Sequence, residues 1–164
     1  MRILILGGHG FIGSHTSDIL KQQGHTIGVV DCYHQYYTFP DKEYFPVLQI
    51  RKDHANNDQT FIGKIEDESF MATVFQEFKP SVVIHLATYP NAKMVARNVT
   101  DATNNMVTAT AIILNLCVKS NVKRFVFASS SMAYGEFNGE IPDETVICNP
   151  NTLYGSYKHQ GERM

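Results

Sequence analysis

The chain has no run of about eighteen consecutive apolar residues, so no segment reads as a membrane-spanning helix. It has no excess of one charge either. Its 14 Lys and Arg stand against 16 Asp and Glu, for a formal net charge of -2. That balance leaves no basic field for nucleic acid or anionic lipid. Cysteine is scarce: Cys32, Cys117 and Cys148 are an odd count without metal-ligand spacing. They read as reduced thiols of a cytoplasmic protein, not as a disulfide framework or a zinc site. His9, His15, His34 and His85 form no His-x-x-x-His or mixed Cys/His pattern. They read as packing or polar loop residues, and no metal is expected. There is no internal repeat and no low-complexity tract. Gly7, Gly8 and Gly10 break the apolar N-terminus before a signal-peptide core can form.

What is present is ordinary globular composition, 43% hydrophobic and 18% charged over 164 residues. A chain of that length makes one domain that buries roughly 70% of its extended surface. Five short β-rich runs, Arg2 to Leu6, Thr26 to Val30, Gln59 to Ile62, Ser81 to His85 and Arg124 to Phe127, alternate with helical patterns. The helices are expected at Phe11 to Gln23, Asp67 to Phe78, Thr100 to Ser120 and Leu153 onward. Near-continuous apolar strands separated by helices predict an α/β fold, a doubly wound parallel sheet of order 3-2-1-4-5. Two irregular stretches interrupt the alternation. Asp31 to Asp58 is expected to hold a helix around Asp41 to His54, lying over a bound cofactor or substrate. Tyr134 to Asn151, with Gly135, Gly139, Pro142, Asn149 and Pro150, reads as a loop feeding the last helix.

The first strand runs into Gly7-Gly8-His9-Gly10-Phe11-Ile12-Gly13, which contains Gly8-x-Gly10-x-x-Gly13 and, overlaid, Gly7-x-x-Gly10-x-x-Gly13. Glycines let a backbone turn sharply and approach a pyrophosphate, and the following helix N-terminus faces its negative charge. Asp31 ends the second strand 18 residues beyond Gly13. A carboxylate there accepts from adenosine ribose hydroxyls and repels a 2′-phosphate. No Arg or Lys occupies Cys32 to Tyr37 to receive such a phosphate, which favours NAD over NADP.

Near the other end, Tyr154 and Lys158 stand four apart on a helix, with phenol and ammonium on one face. Ser130 precedes them. A tyrosine has a reference pKa of about 10, and bringing it near 7 takes roughly 4 kcal/mol. The Lys158 cation and a positive nicotinamide ring are expected to supply it. Tyr154 then serves as base toward an alcohol, with Ser130 holding the same oxygen.

With these residues in place, the chain resembles the extended short-chain dehydrogenase/reductase family, in particular its NAD-dependent sugar-nucleotide epimerases. The opening loop through Ser14-His15, Gly24-His25-Thr26-Ile27, His85-Leu86-Ala87 and Phe127 to Gly135 all resemble family segments. Asn105 falls where the family carries an Asn near the cofactor. The resemblance implies a Rossmann fold and a catalytic Ser130, Tyr154 and Lys158. It implies NAD held by Gly7, Gly10, Phe11, Ile12, Gly13, Asp31, Cys32, Lys64, Ile65, Leu86, Ala87, Asn105, Ser129, Tyr154 and Lys158. Ser131 and Met132 stand where related dehydratases carry Asp-Glu, which disfavours loss of water. Asp31-Cys32-Tyr33-His34-Gln35-Tyr36-Tyr37 resembles a segment of UDP-glucuronate 4-epimerases. The implied reaction is 4-epimerisation of a UDP-sugar through a transient 4-keto intermediate.

Several positions depart from the family pattern. Lys64 replaces an Asp that contacts adenine, Cys32 replaces a polar residue near the adenosine, and Tyr157 replaces a Ser before Lys158. Lys93 reads as a solvated lysine, with a substrate phosphate or carboxylate as the alternative contact. Gly161-Glu162-Arg163-Met164 carries no helix stop signal, so the chain is expected to be the front part of a longer protein, truncated before a substrate-binding lobe. A homodimer through the helices at Thr100 to Ser120 and Leu153 onward is also implied. The competing functions are another NAD-linked nucleotide-sugar oxidoreductase or dehydratase, and a non-catalytic NAD-binding module.

Overall fold

Alternation within one strand decides how the two faces of the sheet are covered. In β1 (Arg2–Leu6) every residue after Arg2 is buried, but Ile3 and Ile5 point to one side and Leu4 and Leu6 to the other. The computed structural model describes residues 1–37, 39–137, 141 and 143–164. β1 lies at the centre of a five-stranded parallel sheet with β2 (Thr26–Asp31), β3 (Gln59–Ile62), β4 (Val82–His85) and β5 (Arg124–Phe127), in the order β3-β2-β1-β4-β5. This is the arrangement the alternating pattern predicts. Leu4 and Leu6 join Val30, Val83 and the apolar faces of α3 (Glu68–Phe78) and α6 (Ala109–Lys119) in the larger core. Ile3 and Ile5 join Ile27 and Val29 on the opposite face, against Leu20 of α1 (Phe11–Gln22).

The long segment after β2 does hold a helix, α2 (Asp41–Ala55). It ends at Asn56, in the left-handed conformation common just past a helix. Asp67 is the N-cap of α3 rather than its first residue, its carboxylate accepting from Phe70 N at 3.0 Å. The loop segment after β4 contains a helix that the sequence pattern did not predict, α4 (Ala92–Arg97). Asn91 starts it by accepting from Met94 N, and Asn98 starts α5 (Val99–Thr103) by accepting from Asp101 N. Polar caps and not apolar period announce these two short helices. The helix expected over Thr100 to Ser120 is also not one α-helix. A single π-helical turn, Asn104–Thr108, separates α5 from α6. Of the loop expected at Tyr134 to Asn151, Gly139 and Pro142 lie outside the described residues. Among the described residues, no helix is long and apolar enough to cross a membrane.

The last helix, α7 (Leu153–Arg163), is seated on the end of β5 and the chain leaving it. Thr152 caps it, accepting from Gly155 N at 3.1 Å. Gly161 lies flat against the Phe127 ring, where any Cβ would overlap the ring. One turn earlier, Lys158 Nζ donates to Ala128 O at 2.7 Å, and Ser129 Oγ donates to Glu162. Three consecutive residues, from the last of β5 onward, are thus matched to one stripe of α7.

His85 ends β4 under this seat, 2% exposed and edge-on to Phe125 and Phe127. Thr110 spends its only hydroxyl proton on Met106 O, so it must accept from His85 Nε2 at 3.3 Å. His85 is therefore the neutral Nε2–H tautomer, and burial pushes its pKa down to about 3 from 6.5. The unfolded chain binds the proton first, so this group's share of stability is complete above 6.5 and is lost as pH falls below it. Urea melts should show an acid limb of about 1.4 kcal/mol per pH unit from this group. His85→Gln should flatten that limb, and an unchanged slope would refute the assignment.

Candidate active site

The carboxyl ends of β1, β2 and β4 open into a cleft of about 220 Å³. Such crevices are where open parallel sheets take ligands. Its floor is the turn after β1. Gly7 has φ +78, and a Cβ there would stand 2.8 Å from Ala87 N, so a side chain fits neither the backbone nor the space. Gly10 N donates to Gly7 O at 3.1 Å, and Gly13 brings α1 hard against the same turn. α1 has no side-chain cap at Gly10 and no acidic residue in its first turn. Its free N–H groups and positive dipole end are left for an anion. Phe11 and Ile12 begin this helix with side chains 68% and 64% exposed.

Asp31 stands beside the turn and organises it. Its Oδ2 accepts from His9 N at 3.1 Å and its Oδ1 from Tyr33 N at 2.9 Å. His9 is a structural residue, 3% exposed. Asn57 donates through its amide to Gln59 O and Thr60 Oγ1, so its Oδ1 accepts from His9 Nε2, and His9 Nδ1 accepts from Tyr33 OH. Tyr33 adopts a left-handed φ of 53, held by Asp31 and by Tyr44 OH donating to its carbonyl. Cys32, Ile65, Leu86, Ala87 and Asn105 line the cleft.

Phe11, Ile12, Gly13, Ser129, Tyr154 and Lys158 lie outside that lining, and so does Lys64. Lys64 is turned out of the cleft, its side chain 59% exposed and 3.7 Å from Glu66. A long, strongly hydrated ammonium stays in water when no buried partner draws it in. The cleft wall also contains residues that the sequence reading missed. Tyr44, Leu48 and Arg51 of α2 line it beside Asp31. They sit at i, i+4 and i+7, one helical face, which is the signal that could have found them. Tyr36 and Thr88 line the opposite end.

Asn105 is carried on the π-helical turn, 8% exposed, its amide donating to Glu66 at 3.4 Å. Its Oδ1 is buried without a partner among the described residues. A buried acceptor left unpaired costs about 1–3 kcal/mol and marks a place where a ligand donor belongs.

The catalytic candidates meet at the far end of β5. Ser130 Oγ accepts from Met132 N at 3.2 Å, which leaves its hydrogen to donate. Tyr154 lies beside it, 9% exposed among Tyr89, Met94 and Met106. Burial raises the Tyr154 pKa above its ordinary value of 10, and the Ser130 hydroxyl pulls the other way without prevailing. Lys158 donates to Ala128 O and stands 5.0 Å over the Phe127 ring. Burial brings its pKa down to about 8. The expected lowering of the phenol by Lys158 therefore does not occur from the chain's own groups. The ammonium is tied to a carbonyl, and desolvation of the phenol outweighs what remains. Ser129 uses its hydroxyl on Glu162 and does not line the cleft.

A glycine cradle, a strand-end carboxylate and a serine, tyrosine and lysine beyond them define a dinucleotide-binding doubly wound domain. The chain belongs to the NAD-dependent epimerase/dehydratase family, whose pattern it matches over residues 3–164. It is 32% identical over 171 residues to a UDP-glucose 4-epimerase of Halalkalibacterium halodurans, spanning all of this chain and 45% of that protein. Its fold is similar to the UDP-glucose 4-epimerase of Thermus thermophilus in complex with NAD, with a TM-score of 0.82 and 27% identity over 99% of this chain and 49% of that one. The Thermotoga maritima UDP-glucose 4-epimerase with UDP-glucose is 31% identical, with a TM-score of 0.80 and the same coverage of 99% and 49%. The chain thus spans about half the length of the relatives it matches.

Lys158 titrates near 8 in the fold and near 10.5 when unfolded, so the unfolded chain holds more protons between those values. Its cost to stability is fully present below 8 and is relieved as pH rises toward 10.5, by about 3 kcal/mol in all. The stability of the chain relative to Lys158→Met should therefore rise with pH across that window in denaturant melts. A constant difference would show that Lys158 is not buried as a cation.

Proposed function

We propose that this chain binds NAD and serves a nucleotide-sugar epimerase, with C4 of a UDP-sugar as the reacting carbon. The observation that carries the reading is the meeting of Ser130, Tyr154 and Lys158 beyond a Cβ-free anion cradle. The named activity of the relatives supports the substrate class. The residues present fit the cofactor: Gly7, Gly10 and Gly13 clear space for a diphosphate at the start of α1. Asp31, already oriented by two backbone N–H groups, keeps lone pairs for ribose hydroxyls. The orphan Oδ1 of Asn105 offers an acceptor within the same cleft.

NAD, when bound, supplies a hydride acceptor and donor and a positive ring near the phenol. Tyr154 takes the proton from the sugar 4-hydroxyl and later returns it. Ser130 donates to the same oxygen and keeps it in line. Lys158, held by Ala128 O, keeps positive charge on the phenol's side of the helix. The high pKa of Tyr154 in the chain alone means that the added positive charge completes the base. At the other end of the cleft, the Tyr44, Leu48 and Arg51 face takes the adenine, a role Lys64 cannot fill from outside.

Proton NMR of a UDP-hexose mixed with NAD and protein should show the C4 epimer appear. Tyr154→Phe should cut the rate by about 10²–10⁴ while leaving NAD affinity within a few-fold. A stable keto product would instead indicate a dehydratase or oxidoreductase. The raised pKa of Tyr154 and the lowered pKa of Lys158 favour one second reading, NAD binding without turnover. NAD saturation with no epimer would support it.

Arg51→Ala should weaken NAD binding roughly fivefold to tenfold, as expected for loss of a cation–π and packing contact. Calorimetry on the variant reads this directly, and unchanged affinity would move the adenine elsewhere.

A further inference from the structure

Beyond the cleft, α7 carries a second group of reactive side chains that the proposed chemistry does not use. His159 and Glu162 stand three apart, so one helical turn brings them to the same side. Cys148 approaches from the loop that precedes the helix. The two residues that follow Cys148 are held: Asn149 N donates to Tyr134 O at 3.2 Å, and Pro150 packs over Gly155 of α7. The Cys148 sulfur, a ring nitrogen of His159 and a carboxylate oxygen of Glu162 all lie within 4.8 Å of one another. Cys148 and His159 are half-buried and Glu162 is exposed, so the cluster is open on one side.

We propose that Cys148, His159 and Glu162 bind one divalent cation of the zinc class, with water completing the fourth position. Thiolate, imidazole and carboxylate are the three ligand types that zinc takes, and a thiolate excludes magnesium and calcium as the preferred ions. In a tetrahedral site with bonds of about 2.0–2.3 Å, ligand atoms stand about 3.3–3.7 Å apart. Closing from the observed spacing takes about 1 Å, within the reach of side-chain rotation. Charge also balances, because a thiolate and a carboxylate neutralise the ion. Glu162 is already held by the chain, since Ser129 Oγ donates to one of its oxygens. Such outer partners commonly fix a ligating carboxylate.

The site sits one residue beyond Lys158 and includes neither Lys158 nor Tyr154. Its occupant cross-links the loop at Cys148 to α7 and so reinforces the seat of that helix on β5. Cation binding to the folded chain alone therefore raises its melting temperature.

Cobalt(II) titration of the metal-free chain tests this, because a thiolate–cobalt bond gives a charge-transfer band in the near ultraviolet. One equivalent should saturate that band, and zinc(II) should displace it. Cys148→Ser should abolish the band, whereas Cys32→Ser and Cys117→Ser should retain it. His159→Ala and Glu162→Gln should each weaken cobalt binding by at least about tenfold, and Ser129→Ala by about tenfold through the lost outer hydrogen bond. Circular dichroism of each variant establishes that it is folded. No band at excess cobalt, a band that survives Cys148→Ser, or wild-type affinity in both His159→Ala and Glu162→Gln would overturn the proposal. Because none of these readouts involves NAD or a sugar, they stand or fall apart from the proposed activity.

Discussion

The structure depends most on the seating of α7 along the end of β5 and the residues that leave it. Phe127 meets Gly161, Ala128 O meets Lys158, Ser129 meets Glu162, and Ser130 lies beside Tyr154. Four successive positions of an extended chain are read by one stripe of a helix. An extended residue advances about 3.3 Å and a helical turn about 5.4 Å, so such a match holds only over a short stretch. It is enough to fix the helix axially and in rotation. The phenol then needs no other device to bring it beside Ser130. Glycine at 161 is what permits the helix to lie so close, and the nearby burial of Lys158 is a consequence of the same closeness.

That closeness has an electrostatic cost, and it explains why the site is incomplete from protein groups alone. Tyr154 and Lys158 are both driven toward their neutral forms by desolvation. A phenol with a raised pKa and an ammonium with a lowered one do not make a phenolate by themselves. Solvent exclusion strengthens any charge introduced later, however, so a cation brought beside Tyr154 acts with little screening. On the proposed function, the glycine cradle places a charged ligand, and α7 supplies the dry surroundings in which its charge counts.

Most of the fold was legible in the sequence because apolar period and glycine placement carry it. The strands, their order and α2 follow from patterning and the crossover rule. The π-helical turn was not legible, since Asn104 to Thr108 has the composition of an ordinary helix. Met106 and Ala109, within or next to that turn, pack in different clusters, a tertiary arrangement that no local pattern records. Lys64 and Arg51 illustrate the two kinds of error at the cleft. Motif position placed Lys64 inside, but ammonium hydration turned it out. Arg51 lay outside every motif, yet its spacing from Tyr44 and Leu48 already put it on the inward face. Cys148 and His159 are eleven residues apart and match no ligand spacing. Their meeting follows from a loop folding back on a helix, which no local pattern records.

The placement of Asn105 links these observations. A π-helical turn widens a helix and displaces the residues after it, and such turns gather at functional sites. Here the turn sits where α7 packs against it, between the apolar cluster around Tyr154 and the cleft above Asp31. Without the extra residue, the positions from Asn105 onward would rotate by about 100°, one residue's share of an α-helical turn. Asn105 and Met106 could not then face the cleft and the Tyr154 cluster respectively. The unpaired Oδ1 of Asn105 is buried at that same turn. A buried acceptor without a donor is tolerated where the fold holds it rigidly, and the packing of α7 against the turn provides that rigidity.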